Sequence, residues 1–294
     1  MADKLVGQNY VPRDHVAKVM GRARYAEDFR ADGMLFCKLL LSPMPHARVR
    51  SIDTSAALAM PGVKAIITAD DLPDLNGAEK ALTNEPFYAG EPILAVAAVD
   101  ELTAAEAIEA IRIDLEPLPF VTNAIDALRP GGPSAREQGN VWGAPVPPAP
   151  GAQGPPPPVP VTTVRWTDSD FSAAAEGQLP MGEPVEQWAY GDLDAGFKDA
   201  ALVLDETFVV QSTGHHPMET RSAMAYWQNG KLYIHASTQS VQRTQELIAR
   251  WVGVEPSQVV LICEYTGGGF GSKGAGAVSM AIPALLSKKA NARC

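Results

Sequence analysis

Cysteine is scarce in this 294-residue chain: Cys37, Cys263 and Cys294 lie far apart, with no C-x-x-C and no Cys/His spacing suited to zinc or an iron–sulfur cluster. Any metal is therefore not held by cysteines of this chain. Positive charge is also short, since 24 Lys and Arg against 34 Asp and Glu leave a formal net charge of −10. A phosphate-backbone binder needs a concentrated Lys/Arg surface, so nucleic acid is not an expected partner. No run approaches the eighteen or so apolar residues that a membrane span needs. The first fifteen residues include Asp3, Lys4, Arg13 and Asp14 and lack the apolar stretch of a signal peptide. The expectation is a cytoplasmic protein without a membrane span.

What remains is ordinary globular material. Hydrophobic residues make up 46% and charged residues 20%, which excludes a disordered, collagenous or coiled-coil chain. The length favours two domains over one. Nine of the 25 prolines fall between Pro145 and Pro160, in the run PVPPAPGAQGPPPPVP, which can form neither a helix nor a sheet ladder. A stiff spacer between globular segments is a better reading than a ligand for a proline-binding module.

Before that run, residues 35–42, 63–69, 92–99 and 111–118 read as strands, short, β-rich and bounded by Gly, Pro or Asp. Residues 100–110 read as a helix, with Thr103 and Glu106 as a capping box, and a short helix is expected over 55–60. After the run, a strand is expected over 201–211. Residues 222–227 and 231–237 form a hairpin closed by Asn229 and Gly230, both tolerant of the positive φ of a type I′ turn. A helix over 240–252 stops at Gly253, a strand runs over 259–265, and a helix follows over 275–286. The fold class is α+β.

The richest segment is TGGGFGSKGAG, residues 266–276, between that strand and that helix. Four glycines in five residues let the backbone approach a ligand, and a following helix N-terminus would offer N–H groups to an anionic or oxo group. A flexible surface turn is the plain alternative. The P-loop pattern fails because Ser272 precedes Lys273. Gly269, Gly271 and Gly274 satisfy G-x-G-x-x-G, but no Asp or Glu follows Glu264, so a dinucleotide-binding unit would be incomplete. In THE segment TGHHPMET, Pro217 spoils a helix that would pair His215 or His216 with Glu219 on a metal, and a structural His with a buried, paired Glu is the better reading. Gln239, in STQSVQ, is either a surface residue or an amide aimed into a cleft. Five histidines, none in a nucleophile motif, leave no catalytic triad to assign.

The segments GRARYAEDF (21–29), the strand segment LFCKLLLSPMPHARVRSID (35–53), PGVKAIITADDLP (61–73) and YAGEPILAVAAVDELTAAEAI through DLEPLP (88–119) resemble the hammerhead α/β domain of the xanthine dehydrogenase and aldehyde oxidase family. HHPMET, an Asn-Gly hairpin, STQSVQ and GGGFGSK, in that order, resemble the first part of its molybdopterin-binding domain. The resemblance implies a hammerhead-type domain over 18–128, a proline-rich linker over 129–162 and a partial molybdopterin-binding domain over 163–294. It implies that Gln239 hydrogen-bonds a molybdenum oxo ligand, that Phe270 and Gly271 pack against the metal centre and lend N–H groups, and that Gly268 and Gly269 allow close approach. No residue of the chain would ligate the metal directly.

The resemblance further implies a molybdenum–molybdopterin cofactor, in the plain or cytosine-dinucleotide form, with iron–sulfur clusters and FAD only on partner subunits. Gly274 stands where purine-oxidising members carry a glutamate, so an aldehyde or another heteroaromatic is the expected small-molecule substrate. The family's catalytic glutamate belongs to a later domain. The expectations are therefore no catalytic residue in this chain and a further chain carrying the remaining molybdopterin domains. A non-catalytic subunit-docking piece and a dinucleotide-binding protein are the alternatives. The apolar face of the last helix, Val278, Ile282, Leu285 and Leu286, is expected to lack partners and to leave this part of the chain marginally stable.

Overall fold

In the computed structural model, the described residues are 6–73, 80–134, 141–142, 161–162, 166–176, 178–180, 188–206, 208, 210 and 213–294. The proline-rich run at 145–160 lies outside them. The chain divides into two units, one formed by Met1–Pro117 with Gly214–Cys294 and the other by Leu118–Thr213.

The elements of the first unit begin with α1 (His15–Val19), β1 (Phe36–Leu41), β2 (Ala47–Asp53), α2 (Ser55–Leu58), β3 (Val63–Thr68), β4 (Pro92–Ala98), α3 (Glu101–Ala110) and β5 (Arg112–Pro117). The strand segment 35–53 is not one strand. Ser42, Pro43 and Pro45 interrupt it, because proline cannot donate to a ladder. Its halves enter different sheets: β1 joins a three-stranded sheet in the order β1-β4-β3, and β2 pairs antiparallel with β5.

Both neighbours of β4 run antiparallel to it, and Ile93 to Ala98 are fully buried. A strand with both faces covered carries a continuous apolar run, and ILAVAA is one. Its alternate residues serve two cores. Leu94 and Val96 pack with Ile66 against Ala57, Ala107 and Ile111 of the helical side, while Ala95 and Ala97 join the core that contains Ile234, Ile248 and Ile282. Helix α3 forms where expected, but its cap is Asp100, whose side chain accepts from the Thr103 N–H at 2.7 Å. The expected Thr103/Glu106 box is displaced one turn earlier, since an aspartate ahead of the first turn already satisfies an orphan N–H.

The second unit contains α4 (Ala124–Leu128), the two-residue pair β6 (Val141–Trp142) and β7 (Val161–Thr162), α5 (Asp168–Ala173) and α6 (Leu193–Asp199). Asn123, Thr167 and Asp192 cap these short helices through side-chain oxygens. No strand forms among the described residues of 201–211, where Leu202, Leu204, Phe208 and Val210 are exposed. Alternating apolar residues specify a strand only when a neighbouring strand supplies the ladder.

The first unit resumes with β8 (Ala223–Gln228), β9 (Lys231–Ala236), α7 (Val241–Val252), β10 (Val259–Ile262) and α8 (Val278–Ala290). The hairpin turn has Asn229 at φ 51° and Gly230 at φ 74°, as type I′ requires. Strand β10 lies parallel to β9, with α7 as the crossover, giving a β10-β9-β8 sheet. Gly253 ends α7 in the left-handed conformation (φ 74°), and its N–H is taken by the Ala249 and Arg250 carbonyls.

Helix α8 corrects the expectation of an unpartnered apolar face. Ile282 and Leu286 are buried in the core that includes Ile67, Ala95, Ala225 and Leu232, and Val278 and Leu285 pack against it. The helix lies between the β1-β4-β3 sheet and β8, so that sheet supplies the missing cover. Lys289 Nζ pairs with Asp71 Oδ1 at 2.7 Å, and the Leu35 N–H donates to the Arg293 carbonyl.

Candidate functional site

Three segments converge on one ion pair. Lys273, completely buried, places Nζ 2.7 Å from Glu219 Oε2 and 2.9 Å from the Glu219 carbonyl. Glu219 Oε2 also accepts from Ser237 Oγ (2.7 Å) and the Gly267 N–H (2.6 Å). HHPMET, STQ and the glycine loop are thereby joined at a single carboxylate oxygen. Burial would raise the Glu219 pKa, but the Lys273 ammonium, the Ser237 hydroxyl and the Gly267 N–H together hold it below the usual carboxylate value. The buried, paired glutamate read from HHPMET is present. The only sequence signal for Lys273 is its place inside a glycine run, because its partner lies 54 residues away.

The loop itself is held by Gln239. Its Oε1 accepts from the Gly271 N–H (3.1 Å) and the Lys273 N–H (3.2 Å), and its own N–H donates to the Lys273 carbonyl (2.8 Å). Thr238 Oγ1 donates to the same carbonyl, and Thr266 Oγ1 donates to the Thr238 carbonyl. With Oε1 committed, the Gln239 Nε2 group is the donor left for a ligand. The Gly271 N–H, expected to be open, is already engaged by this side chain.

A Cβ at Gly269 would lie 2.4 Å from Gln239 Oε1, so a larger residue there would displace the amide. Gly271 has φ 102° and would bring a Cβ to 3.3 Å from His215 Nε2, while Gly268 has φ 106° beside Pro217. Phe270 adopts φ 52° and is 75% exposed, a conformation and exposure unusual for an aromatic. The N–H groups of Gly268, Gly269 and Phe270 have no acceptor among the described residues. Those of Gly267, Gly271, Ser272, Lys273 and Gly274 are all taken internally.

Two other expectations change here. The helix after the loop begins only at Val278, so the glycines do not lead directly into a helix N-terminus. That separation, with Gly271 and Gly274 both bonded internally, leaves the G-x-G-x-x-G match without the pyrophosphate cradle of a dinucleotide fold. His215 and His216 are exposed, the latter at φ 45°. Among the described residues no group of three His, Cys, Asp or Glu side chains is placed to hold a metal ion, and no helix is long and apolar enough to cross a membrane.

A family model for the molybdopterin cofactor-binding domain matches residues 178–294, and one for the aldehyde oxidase and xanthine dehydrogenase a/b hammerhead domain matches residues 20–119. The chain belongs to the xanthine dehydrogenase and aldehyde oxidase family. Both matches fall largely within the α+β first unit, which holds the hammerhead domain and part of the cofactor-binding domain.

Relatives within this family include the carbon monoxide dehydrogenase large chain of Afipia carboxidovorans, 27% identical over 97% of this chain and 34% of its own length. The nicotinate dehydrogenase large molybdopterin subunit of Eubacterium barkeri is 27% identical over 92% of this chain and 56% of its own. Among solved structures, the aldehyde oxidoreductase of Desulfovibrio gigas superimposes with a TM-score of 0.66 at 26% identity, over 96% of this chain and 29% of that one. Quinoline 2-oxidoreductase of Pseudomonas putida, at 23% identity and a TM-score of 0.68, shares the fold over 98% of this chain and 34% of that one. The chain thus spans about a third to a half of the length of the curated relatives named here.

Proposed function

We propose that the chain contributes the hammerhead domain and the first part of the cofactor site of a molybdenum hydroxylase that oxidises an aldehyde or heteroaromatic substrate with water-derived oxygen. The observation that carries this is the committed Gln239 amide beside a glycine loop whose N–H groups at Gly268, Gly269 and Phe270 have no acceptor among the described residues. Such donors fit an oxo or phosphate oxygen of the molybdenum–molybdopterin cofactor, held where fixed dipoles need no reorganisation. When bound, that cofactor supplies the two-electron oxidation.

The chain's own residues do the positioning. Gln239 Nε2 donates to an oxygen of the group, Phe270 covers it with an exposed aromatic ring, and Gly268, Gly269 and Gly271 leave room for the approach. No general base is assigned to this chain. The base, the remaining cofactor contacts and the electron path come, in this reading, from a chain carrying the other molybdopterin domains and from iron–sulfur and FAD subunits. Domain limits of 18–128, 129–162 and 163–294, a cytoplasmic location and a cofactor of either pterin form belong to the same proposal.

A second reading, a subunit-docking piece without its own cofactor, is favoured by the exposure of Trp188 (90%), Tyr190 (99%) and Phe208 (85%). Molybdenum content of the material that co-purifies with this chain, from a host that makes the pterin, separates the two. Near-stoichiometric molybdenum together with companion chains is the expected result. Companion chains without molybdenum would leave the docking reading in its place.

A further inference from the structure

We propose that the buried Glu219–Lys273 pair is a positioning element that turns the Gln239 amide, holding Oε1 toward the loop and presenting Nε2 outward as a donor. The inference rests on the reading of Gln239 as a cofactor ligand-oxygen donor and names what sets its direction.

Lys273 and Gln239 are clasped in both directions. The Gln239 N–H donates to the Lys273 carbonyl and the Lys273 N–H donates to Gln239 Oε1, so the position of one peptide decides the orientation of the other side chain. The reversed amide would set Nε2 against two N–H groups, donor against donor. What fixes the Lys273 peptide is its own ammonium, anchored on both the carboxylate and the carbonyl of Glu219. Arg221, two residues on, donates to the Ser272 carbonyl, so the 219–221 segment holds two consecutive loop residues.

The choice of an ion pair is itself informative. A buried pair is weak as a source of stability, and apolar residues of similar volume often replace one without loss. Its distinctive contribution is geometric. An ammonium reaching two oxygens of one residue locks the loop in register, which a methionine could not do. All the donors converge on Glu219 Oε2, while the buried Oε1 has no partner among the described residues, so the carboxylate serves the loop through one oxygen.

The test is amide hydrogen exchange and side-chain amide spectra of the isotope-labelled full chain, without cofactor, in wild type, Lys273→Met and Glu219→Gln. The amides of Ile234 and Ile248, both fully buried, report global opening. The expected result is exchange about tenfold faster at Gly271 and at position 273 relative to Ile234, with the Gln239 side-chain amide moving to free-amide positions. Glu219→Gln, close to isosteric, gives the same pattern more weakly and serves if Lys273→Met does not fold. Wild-type protection at Gly271 and an unchanged Gln239 amide in a folded variant would overturn the inference. These readouts need no molybdenum, so absence of metal from the wild-type assembly counts against the cofactor reading alone.

Discussion

Strand β4 and the glycine loop at 266–273 belong to the same unit but are built on opposite terms. In β4, six consecutive apolar residues are fully buried, and Leu94 to Ala97 alternate between two cores, so the strand is held by packing on both faces. In the loop, Gly268, Phe270 and Gly271 have positive φ, Phe270 is exposed, and order comes from a buried charge pair and one amide. Packing is distributed over many weak contacts, so a strand such as β4 tolerates small losses. A polar clasp is concentrated in few groups, so losing one of them releases the rest.

This difference can be broken most sharply at Lys273. Removing one partner of a buried pair leaves an uncompensated charge, so Lys273→Met should lower unfolding free energy by about 3–5 kcal/mol in urea titrations. Leu94→Ala, a cavity in the β4 core, should lower it by about 2–5 kcal/mol without changing exchange at Gly271. If both variants loosened the loop equally, the two regions would not be independent in the way their contacts indicate.

Acid sharpens the same contrast. The folded pKa of Glu219 lies below its ordinary value of 4.5, so its contribution is fully present above that pH and is lost as pH falls through the folded value. The wild-type urea midpoint should therefore fall more steeply below about pH 4.5 than that of Glu219→Gln, which has no such proton to gain. Identical slopes would mean that the carboxylate is no better stabilised in the fold than in the unfolded chain. The smallest effect is expected at the helix ahead of β5, where Asp100→Ala removes the cap of α3 and should lower stability by about 1 kcal/mol with the loop untouched.

Much of the fold was legible in local chemistry. Asn229-Gly230 specified its own turn and Gly253 its own helix stop, because each depends on φ preference. Elements that depend on a distant partner were not legible. The 201–211 run carries strand residues but forms no strand among its described positions, and the 35–53 segment divides between two sheets at prolines. The apolar face of α8 looked orphaned because its cover comes from β3 and β4, some two hundred positions earlier in the chain.

At the candidate site, residue types announced a ligand-facing loop, and the motifs around Gln239 and Gly268 to Gly271 pointed to the family before any coordinate did. The sequence by itself determined which backbone positions could take positive φ and where polar groups would have to find partners, because both follow from the chemistry of single residues. Only the tertiary structure decided which partners they found: Lys273 with Glu219, Gln239 Oε1 with the Gly271 and Lys273 N–H groups, and α8 with the hammerhead sheet. Such pairings join residues tens to hundreds of positions apart, and their geometry is set by the packing that brings those segments together.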